Sequence, residues 1–239
     1  HSMSKNVTNL TKNKGEVMKD YKIIEIKENV FKNNDKEADL LREDLKKDKT
    51  FLLNLMSSPG SGKTTTVLRT IETLKNEMRI GVMEADIDSD VDAATVSKTG
   101  AKVIQLHTGG MCHLDADMTR QGIKELGTCD VDFAILENVG NLVCPAEFDT
   151  GSSKNAMILS VPEGHDKSLK YPLMFSIVDV LLINKMDVIE HFDFDLEAVT
   201  EHVKKLNPNI KIIPISARTG EGIDEWANWI RKEVKEWNI

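Results

Sequence analysis

Residues 51–75 read FLLNLMSSPGSGKTTTVLRTIETLK, and this stretch decides the fold. Phe51–Met56 is a short apolar run of the kind that makes a buried strand. It closes in a Ser-Pro-Gly turn, and Lys63–Lys75 then carries its apolar residues at helical spacing. Strand, Gly-rich loop and helix in this order are the setting of a Walker A phosphate loop, here Ser57-Ser58-Pro59-Gly60-Ser61-Gly62-Lys63-Thr64. Gly60 and Gly62 allow close backbone approach, so the N–H groups from Gly60 through Ser61 to Thr65 point at phosphate oxygens at a helix N-terminus. Lys63 is placed to reach the β- and γ-phosphates, and the Thr64 hydroxyl to ligate Mg²⁺. Ser57 stands where the general pattern has its first glycine, so the loop is a variant of it.

Outward from this loop the text alternates strand and helix. Strands are expected at Arg79–Glu84, Lys102–Leu106, Asp132–Leu136, Ala156–Val161, Val178–Ile183 and Ile210–Ile215. Helices are expected at Asp92–Thr99, Leu114–Leu126, Leu196–Leu206 and Ile223–Trp237. Continuous apolar strands alternating with helices predict an α/β fold, a three-layer P-loop NTPase whose mostly parallel sheet is covered by helices on both faces. The phosphate-loop domain is expected to span 49–239. Before it, 35–48 reads as an amphipathic helix with Asp35 as N-cap and Ala38, Leu41 and Leu45 on the face laid against the domain. Residues 1–34 read as a polar, poorly ordered tail.

The 239 residues suffice for one sizeable domain, and 40% apolar with 29% charged residues is an ordinary globular composition. No apolar run reaches the roughly 18 residues of a membrane span. His1-Ser2-Met3 reads as a tag scar before an initiator Met3, and nothing after it resembles a signal peptide, so a cytoplasmic location is expected. A net charge of −8 without a basic stripe argues against nucleic acid as the partner. The three cysteines, Cys112, Cys129 and Cys144, do not make a disulfide framework.

Asn184-Lys185-Met186-Asp187 directly follows a strand and has the form of a guanine reader. The Asp187 carboxylate would accept from guanine N1–H and the 2-amino group, donors that adenine lacks. Asn184 would brace the loop, the Lys185 stem would cover the base plane, and backbone N–H groups at Ser216-Ala217 would meet guanine O6. Glu137-Asn138-Val139-Gly140-Asn141 also ends a strand. It occupies the place of the switch that faces Mg²⁺ and the γ-phosphate, with Glu137 as the acid and Gly140 offering its N–H. Asp86, closing the preceding strand, is the expected second acid, for Mg²⁺ or for positioning water. Lys63, Asp86 and Glu137 are thus the expected catalytic set. Asp88, Asp90 and Asp92 read as a solvated acidic loop.

Cys112-His113 opens the expected helix Leu114–Leu126, and Cys144 follows the Glu137–Asn141 switch. Two thiolates and an imidazole suit Ni²⁺ or Zn²⁺ and not Mg²⁺. Three ligands are one short of a closed tetrahedral site, leaving the fourth to water, a partner or a second copy of the chain. Cys144 should move when the switch senses the γ-phosphate, which would couple hydrolysis to metal release.

The strings SSPGSGKTT, GMCHLDA, ENVGNLVCPAEFD, EGHDKSLKYP, NKMD and SARTGEG run in order from Ser57 to Gly222. Together they resemble the nickel-insertion GTPases of hydrogenase maturation, the HypB family, in the dimerising branch of P-loop GTPases. The resemblance implies GTP-dependent homodimerisation and slow, Mg²⁺-dependent hydrolysis of GTP to GDP. It puts a Ni²⁺ or Zn²⁺ site at the dimer interface with Cys112, His113 and Cys144 as ligands. It also implies nickel loading of the [NiFe] hydrogenase large subunit together with a small nickel-binding partner, HypA. Lys170, in Lys-Tyr-Pro, matches a family lysine that contacts nucleotide across the dimer. The Cys-rich or His-rich nickel-binding segment that many relatives carry ahead of the phosphate loop is absent here. The alternatives are a urease-type nickel-insertion GTPase, a P-loop kinase and a metal buffer that keeps a vestigial loop.

Overall fold

The computed structural model describes residues 20–27, 33–86 and 91–239. Its strands in chain order are β1 Lys22–Glu25, β2 Phe51–Ser57, β3 Ile80–Asp86, β4 Lys102–His107, β5 Phe133–Glu137, β6 Lys154–Ser160, β7 Val180–Asn184 and β8 Lys211–Pro214. Among the described residues these form one parallel sheet in the order β1-β4-β3-β5-β2-β6-β7-β8. Because every pairing is parallel, all the strands deliver their last residues to the same edge. The order reverses on either side of the phosphate-loop strand β2, and the crevice outside the carboxyl ends at such a point is where open α/β sheets bind ligands.

The helices are α1 Asn34–Lys47, α2 Lys63–Leu74, α3 Val91–Ser97, α4 Ala116–Leu126, α5 Cys144–Glu147, α6 Lys167–Lys170, α7 Pro172–Ile177, α8 Leu196–Leu206 and α9 Ile223–Trp237. Alternation along the strands sorts the core into two layers. Leu53 and Leu55 of β2, with Ala156 and Ile158 of β6, meet Val67 and Ile71 of α2, Val96 of α3 and Trp226 and Ile230 of α9. The opposite face has two clusters. Leu41 and Leu45 of α1 join Met118, Ile123 and Leu126 of α4, and Met157 and Leu159 join Met174 and Phe175 of α7 with Val199 and Val203 of α8. This is the three-layer architecture read from the strand-loop-helix stretch at 51–75.

Three local expectations change. Lys22–Glu25, read as part of the polar tail, is an edge strand on β4 that pairs Lys22 with Ile104 and Glu25 with His107. Its apolar content is only Ile23 and Ile24, too short to stand out among lysines and glutamates, and the sheet edge supplies the partner. The rest of that tail reading, on 1–19 and 28–32, lies outside the described residues. Helix α1 is capped by Asn33, whose side chain accepts from the Lys36 N–H, and Asp35 falls in its first turn, where a negative charge still favours the helix dipole. Finally, α4 begins at Ala116 with Asp115 as its cap, so Cys112-His113 lies in the loop ahead of the helix.

Candidate functional site

The phosphate loop wraps the N-terminus of α2. Gly60 and Gly62 take φ of +76° and +98°, the left-handed region that glycine enters without cost. A Cβ on Gly62 would sit 2.4 Å from Asn184 Nδ2, so packing also demands glycine there. Ser57 explains its place in the variant loop. Its buried hydroxyl donates to Ser58 O and accepts from Lys63 Nζ at 3.1 Å, parking the lysine over the loop.

A cavity of about 590 Å³ opens here, lined by the loop from Pro59 to Thr65, by Asp86 and Asp92, by Glu137 and Gly140, and by Lys185. A second cavity of about 310 Å³ adjoins it, sharing Gly62, Thr65 and Lys185, and runs between Asn184, Asp187, Val188, Ala217 and Arg218. The first is lined by the phosphate loop and carboxylates, the second by the Asn-Lys-x-Asp and Ser-Ala-Arg turns, so their union has the outline of a nucleotide.

The second cavity is built by cross-braces. Asn184 Nδ2 donates to Ser61 O at 2.9 Å, and its Oδ1 accepts from Ala217 N–H at 3.0 Å, tying three loops together. Lys185 Nζ donates to Gly60 O at 2.7 Å, and Lys185 itself takes a left-handed φ of +65°. Asp187 Oδ1 accepts from Ser216 Oγ at 2.7 Å, while Oδ2 lies 3.3 Å from Arg218 Nε. The Ala217 N–H, expected to face the base, is instead engaged by Asn184.

The carboxylates cluster at the ends of β3 and β5. Glu84 and Glu137 are direct register partners across these strands, and both are buried. Thr64 Oγ1 donates to Glu137 Oε1 at 3.2 Å, while Glu137 Oε2 and Glu84 Oε1 are buried without a hydrogen-bond partner. Burial holds both carboxyls above their ordinary value of 4.5, with Glu137 adding to the shift on Glu84; Lys63 opposes the shift on each. The Thr64 hydroxyl and the Glu137 carboxylate beside it are an all-oxygen pair of donors, with Asp86 and Asp92 further along the same cavity wall and not gathered with them into one cluster. Such a pair fits a hard divalent cation such as Mg²⁺. Glu84 and Asp92 were not anticipated from sequence as site residues. The signal for Glu84 was a lone acid inside the buried strand GVMEAD. Asp88 and Asp90 lie outside the described residues.

The raised carboxyls carry a pH consequence for the nucleotide-free protein. The folded chain keeps protons that the unfolded chain has released, so their stabilising contribution is complete below 4.5 and is lost as pH rises through the raised values. Glu84→Gln is therefore expected to remove part of the fall in melting temperature between mildly acidic and neutral pH. Thermal melts of the two proteins across that range in a chelator test it, and parallel profiles would contradict it.

The thiols lie beyond the switch. The Cys144 thiol is pushed above its ordinary value chiefly by the neighbouring Cys112 thiol, so the two cysteines, far apart in sequence, face the same spot. Asn141, next to Gly140, accepts from the N–H groups of Val143 and Cys144 at 2.7 and 3.2 Å, and its Nδ2 lies 3.9 Å from Cys144 Sγ. His113 does not join them. Its ring stacks on Phe148 at 3.8 Å between centroids, with Nε2 buried and unpartnered. The expected set of Cys112, His113 and Cys144 is therefore not assembled within one chain, and no group of three or more metal-ligating side chains occurs among the described residues. Lys170 stands apart on α6, exposed and ion-paired with Asp166 at 2.6 Å.

Comparison with known proteins places this architecture. Residues 51–214 match the family model described as CobW/HypB/UreG, nucleotide-binding domain. The hydrogenase maturation factor HypB of Azotobacter chroococcum is 45% identical over 212 residues, which cover 89% of this chain and 70% of that protein. The hydrogenase/urease maturation factor HypB of Helicobacter pylori is 39% identical over 90% of each chain. A crystal structure of HypB from Helicobacter pylori in complex with nickel superposes with a TM-score of 0.80 at 38% identity, covering 85% of this chain and 95% of that one. The structure of HypB from Archaeoglobus fulgidus gives 0.79 at 38% identity, over 84% and 98% of the two chains. The signal recognition particle protein of Aeropyrum pernix, 13% identical with a TM-score of 0.54, shares the fold alone. No helix among the described residues is long and apolar enough to cross a membrane. By sequence and by fold, this chain belongs to the HypB hydrogenase maturation factors of the CobW/HypB/UreG family.

Proposed function

We propose that this chain is a GTPase that couples its nucleotide state to the binding and release of nickel, or zinc, for insertion into a [NiFe] hydrogenase. One observation carries the coupling. Asn141 sits between Gly140, on the wall of the phosphate cavity, and Cys144, whose backbone and sulfur it contacts. A displacement of Gly140 toward a γ-phosphate draws Asn141 with it and shifts Cys144 against Cys112. The complex of the Helicobacter pylori relative with nickel supports the choice of metal.

In this reading the phosphate-loop N–H groups, from Gly60 and Ser61 to Thr65, cradle the phosphates. Lys63 leaves Ser57 to meet the β- and γ-oxygens, and Gly140 N–H holds the γ-phosphate. Asp187 reads guanine once its carboxylate exchanges Ser216 and Arg218 for the base edge. Asn184 and Lys185 hold the cavity in shape, with Ser216 and Ala217 forming its far wall. Thr64, Glu137 and Asp86 would hold Mg²⁺, which neutralises charge on the phosphate oxygens. Among the described residues no arginine lines the phosphate cavity, and Gln105, behind the carboxylates, spends its Nε2 on Glu84 O at 2.8 Å, so the attacking water falls to the carboxylates and turnover is slow.

Two thiols make half of a tetrahedral site, and a second copy of the chain supplies the remainder in a GTP-dependent homodimer. The exposed apolar side chains of Val143, Leu169, Leu173 and Phe192 offer contact surface, and Lys170 is free to swing from Asp166 toward a partner's nucleotide. HypA and the hydrogenase large subunit are the proposed donor and acceptor of the metal.

Nickel titration followed by thiolate-to-metal charge-transfer absorption tests the site. The band is expected in the wild type and is expected to be lost in Cys112→Ser and in Cys144→Ser. A band that survives either change would place the metal elsewhere.

A further inference from the structure

The two thiols belong to separate segments, 108–116 from the end of β4 to the first residue of α4 and 138–152 after β5, and neither helix α4 nor helix α5 spans both. The element that does is α1. At its first residue, the Asn34 side chain binds both segments with opposite ends of one amide. Oδ1 accepts from Ala116 N–H at 2.9 Å, and Nδ2 donates to Asp149 O at 2.9 Å. Ala116 N–H is one of the unpaired donors at the start of α4, directly after the Cys112–Asp115 loop, while Asp115 caps Met118 N–H. Asp149 O follows the short helix that Cys144 opens.

Further along α1 the same arrangement repeats. Toward the Cys144 segment, Arg42 Nε donates to Ser152 O at 3.0 Å and its Nη2 pairs with Asp149. Gly151, at φ +76°, passes so close that a Cβ would meet Leu41 at 2.8 Å. Toward the Cys112 side, Arg120 of α4 pairs with Asp44 at 2.7 Å. The helix therefore clamps both segments from behind, and Asn34 is the one side chain among the described residues that hydrogen-bonds the backbone of both.

We infer that Asn34 is a positioning residue that holds the Cys112 and Cys144 loops in mutual register, so that their thiols are presented as a pair. The consequence for metal rests on the nickel reading above; the pairing of the thiols does not. Groups bonded directly to a ligand change affinity by about 10- to 100-fold when removed, and Asn34, acting through Ala116 and Asp149, is expected at the lower end of that range.

The test uses a probe that needs both thiols and no nickel. Phenylarsine oxide condenses with two adjacent thiols, forming two As–S bonds and releasing one water, and a single thiol holds it weakly. In the full chain carrying Cys129→Ser, so that only this pair can bind the arsenical, Asn34→Ala is expected to weaken binding about tenfold or more. GDP affinity, measured on the same sample as a check of folding, should stay within about twofold because Asn34 touches no nucleotide-site residue. Asn34→Asp keeps the acceptor for Ala116 N–H, loses the donor to Asp149 and should fall between the two. Arsenical affinity unchanged in Asn34→Ala overturns the inference, as does a loss that GDP binding shares in both variants. If nickel binding in the wild type ignores Cys144 while the arsenical still reports on Asn34, the nickel reading fails and the bracket stands.

Discussion

Asp187→Asn is expected to lower affinity for GDP and GTP by about 10⁴-fold, with no matching loss for adenine nucleotides. The carboxylate is nearly enclosed, with a side chain only 12% exposed, and is held by the Ser216 hydroxyl and Arg218 at the mouth of the smaller cavity. A guanine edge arriving there offers two parallel donors to two acceptor oxygens. The amide has one acceptor and presents an N–H₂ group to a donor, so one bond becomes a repulsion in a dry site. Displacement of a fluorescent guanine nucleotide by GDP, GTP and ATP measures this, and a loss smaller than about tenfold would remove Asp187 as the base reader.

Glu137→Gln should reduce the rate of GTP hydrolysis by about 10²- to 10³-fold and change nucleotide affinity far less. Glutamine keeps the shape and can still accept from Thr64, whose hydroxyl lies 3.2 Å from Oε1. What disappears is the negative charge on a buried side chain whose second oxygen has no partner in the protein. That charge is stabilising only opposite a cation. The variant should therefore also need more Mg²⁺ to reach half-maximal nucleotide binding, a readout that a packing defect would leave in place. Near-wild-type turnover would move the catalytic acid to Asp86 or Glu84.

The architecture was legible because the inner strands of the sheet are buried on both faces and so read as apolar runs, as at Phe133–Leu136 or Val180–Ile183. The turns that line the cavities were legible for a related reason: a parallel sheet sends every strand's end to one edge, so polar strings following apolar runs had to meet there. The misses are of a different kind. Strand β1 depends on a neighbour far away in sequence, and its own two isoleucines carry too little pattern. Glu84 looks like an isolated acid until the register of β3 on β5 sets it beside Glu137. Asp92, read as part of a solvated acidic loop, is indeed exposed but stands in the first turn of α3, at the wall of the phosphate cavity. His113 is a separate matter: grouped with the thiols by its place beside Cys112 and by the family resemblance, it has its ring stacked on Phe148 in the single chain, with Nε2 buried and unpartnered. Ser57 is the converse case: a departure from the glycine pattern whose hydroxyl turns out to hold the loop lysine.

The central claim is that the nucleotide site and the thiol pair are one coupled device, joined through Gly140, Asn141 and Cys144. Its most direct test is nickel titration of the protein loaded with GDP and with a non-hydrolysable GTP analogue, in the wild type and in Cys144→Ala. The account predicts affinities that differ between the two nucleotides by about tenfold, or a changed stoichiometry, with the difference abolished in the variant. Nickel affinity and stoichiometry that are the same with both nucleotides would contradict it, leaving a nucleotide-binding protein whose thiols serve some other end.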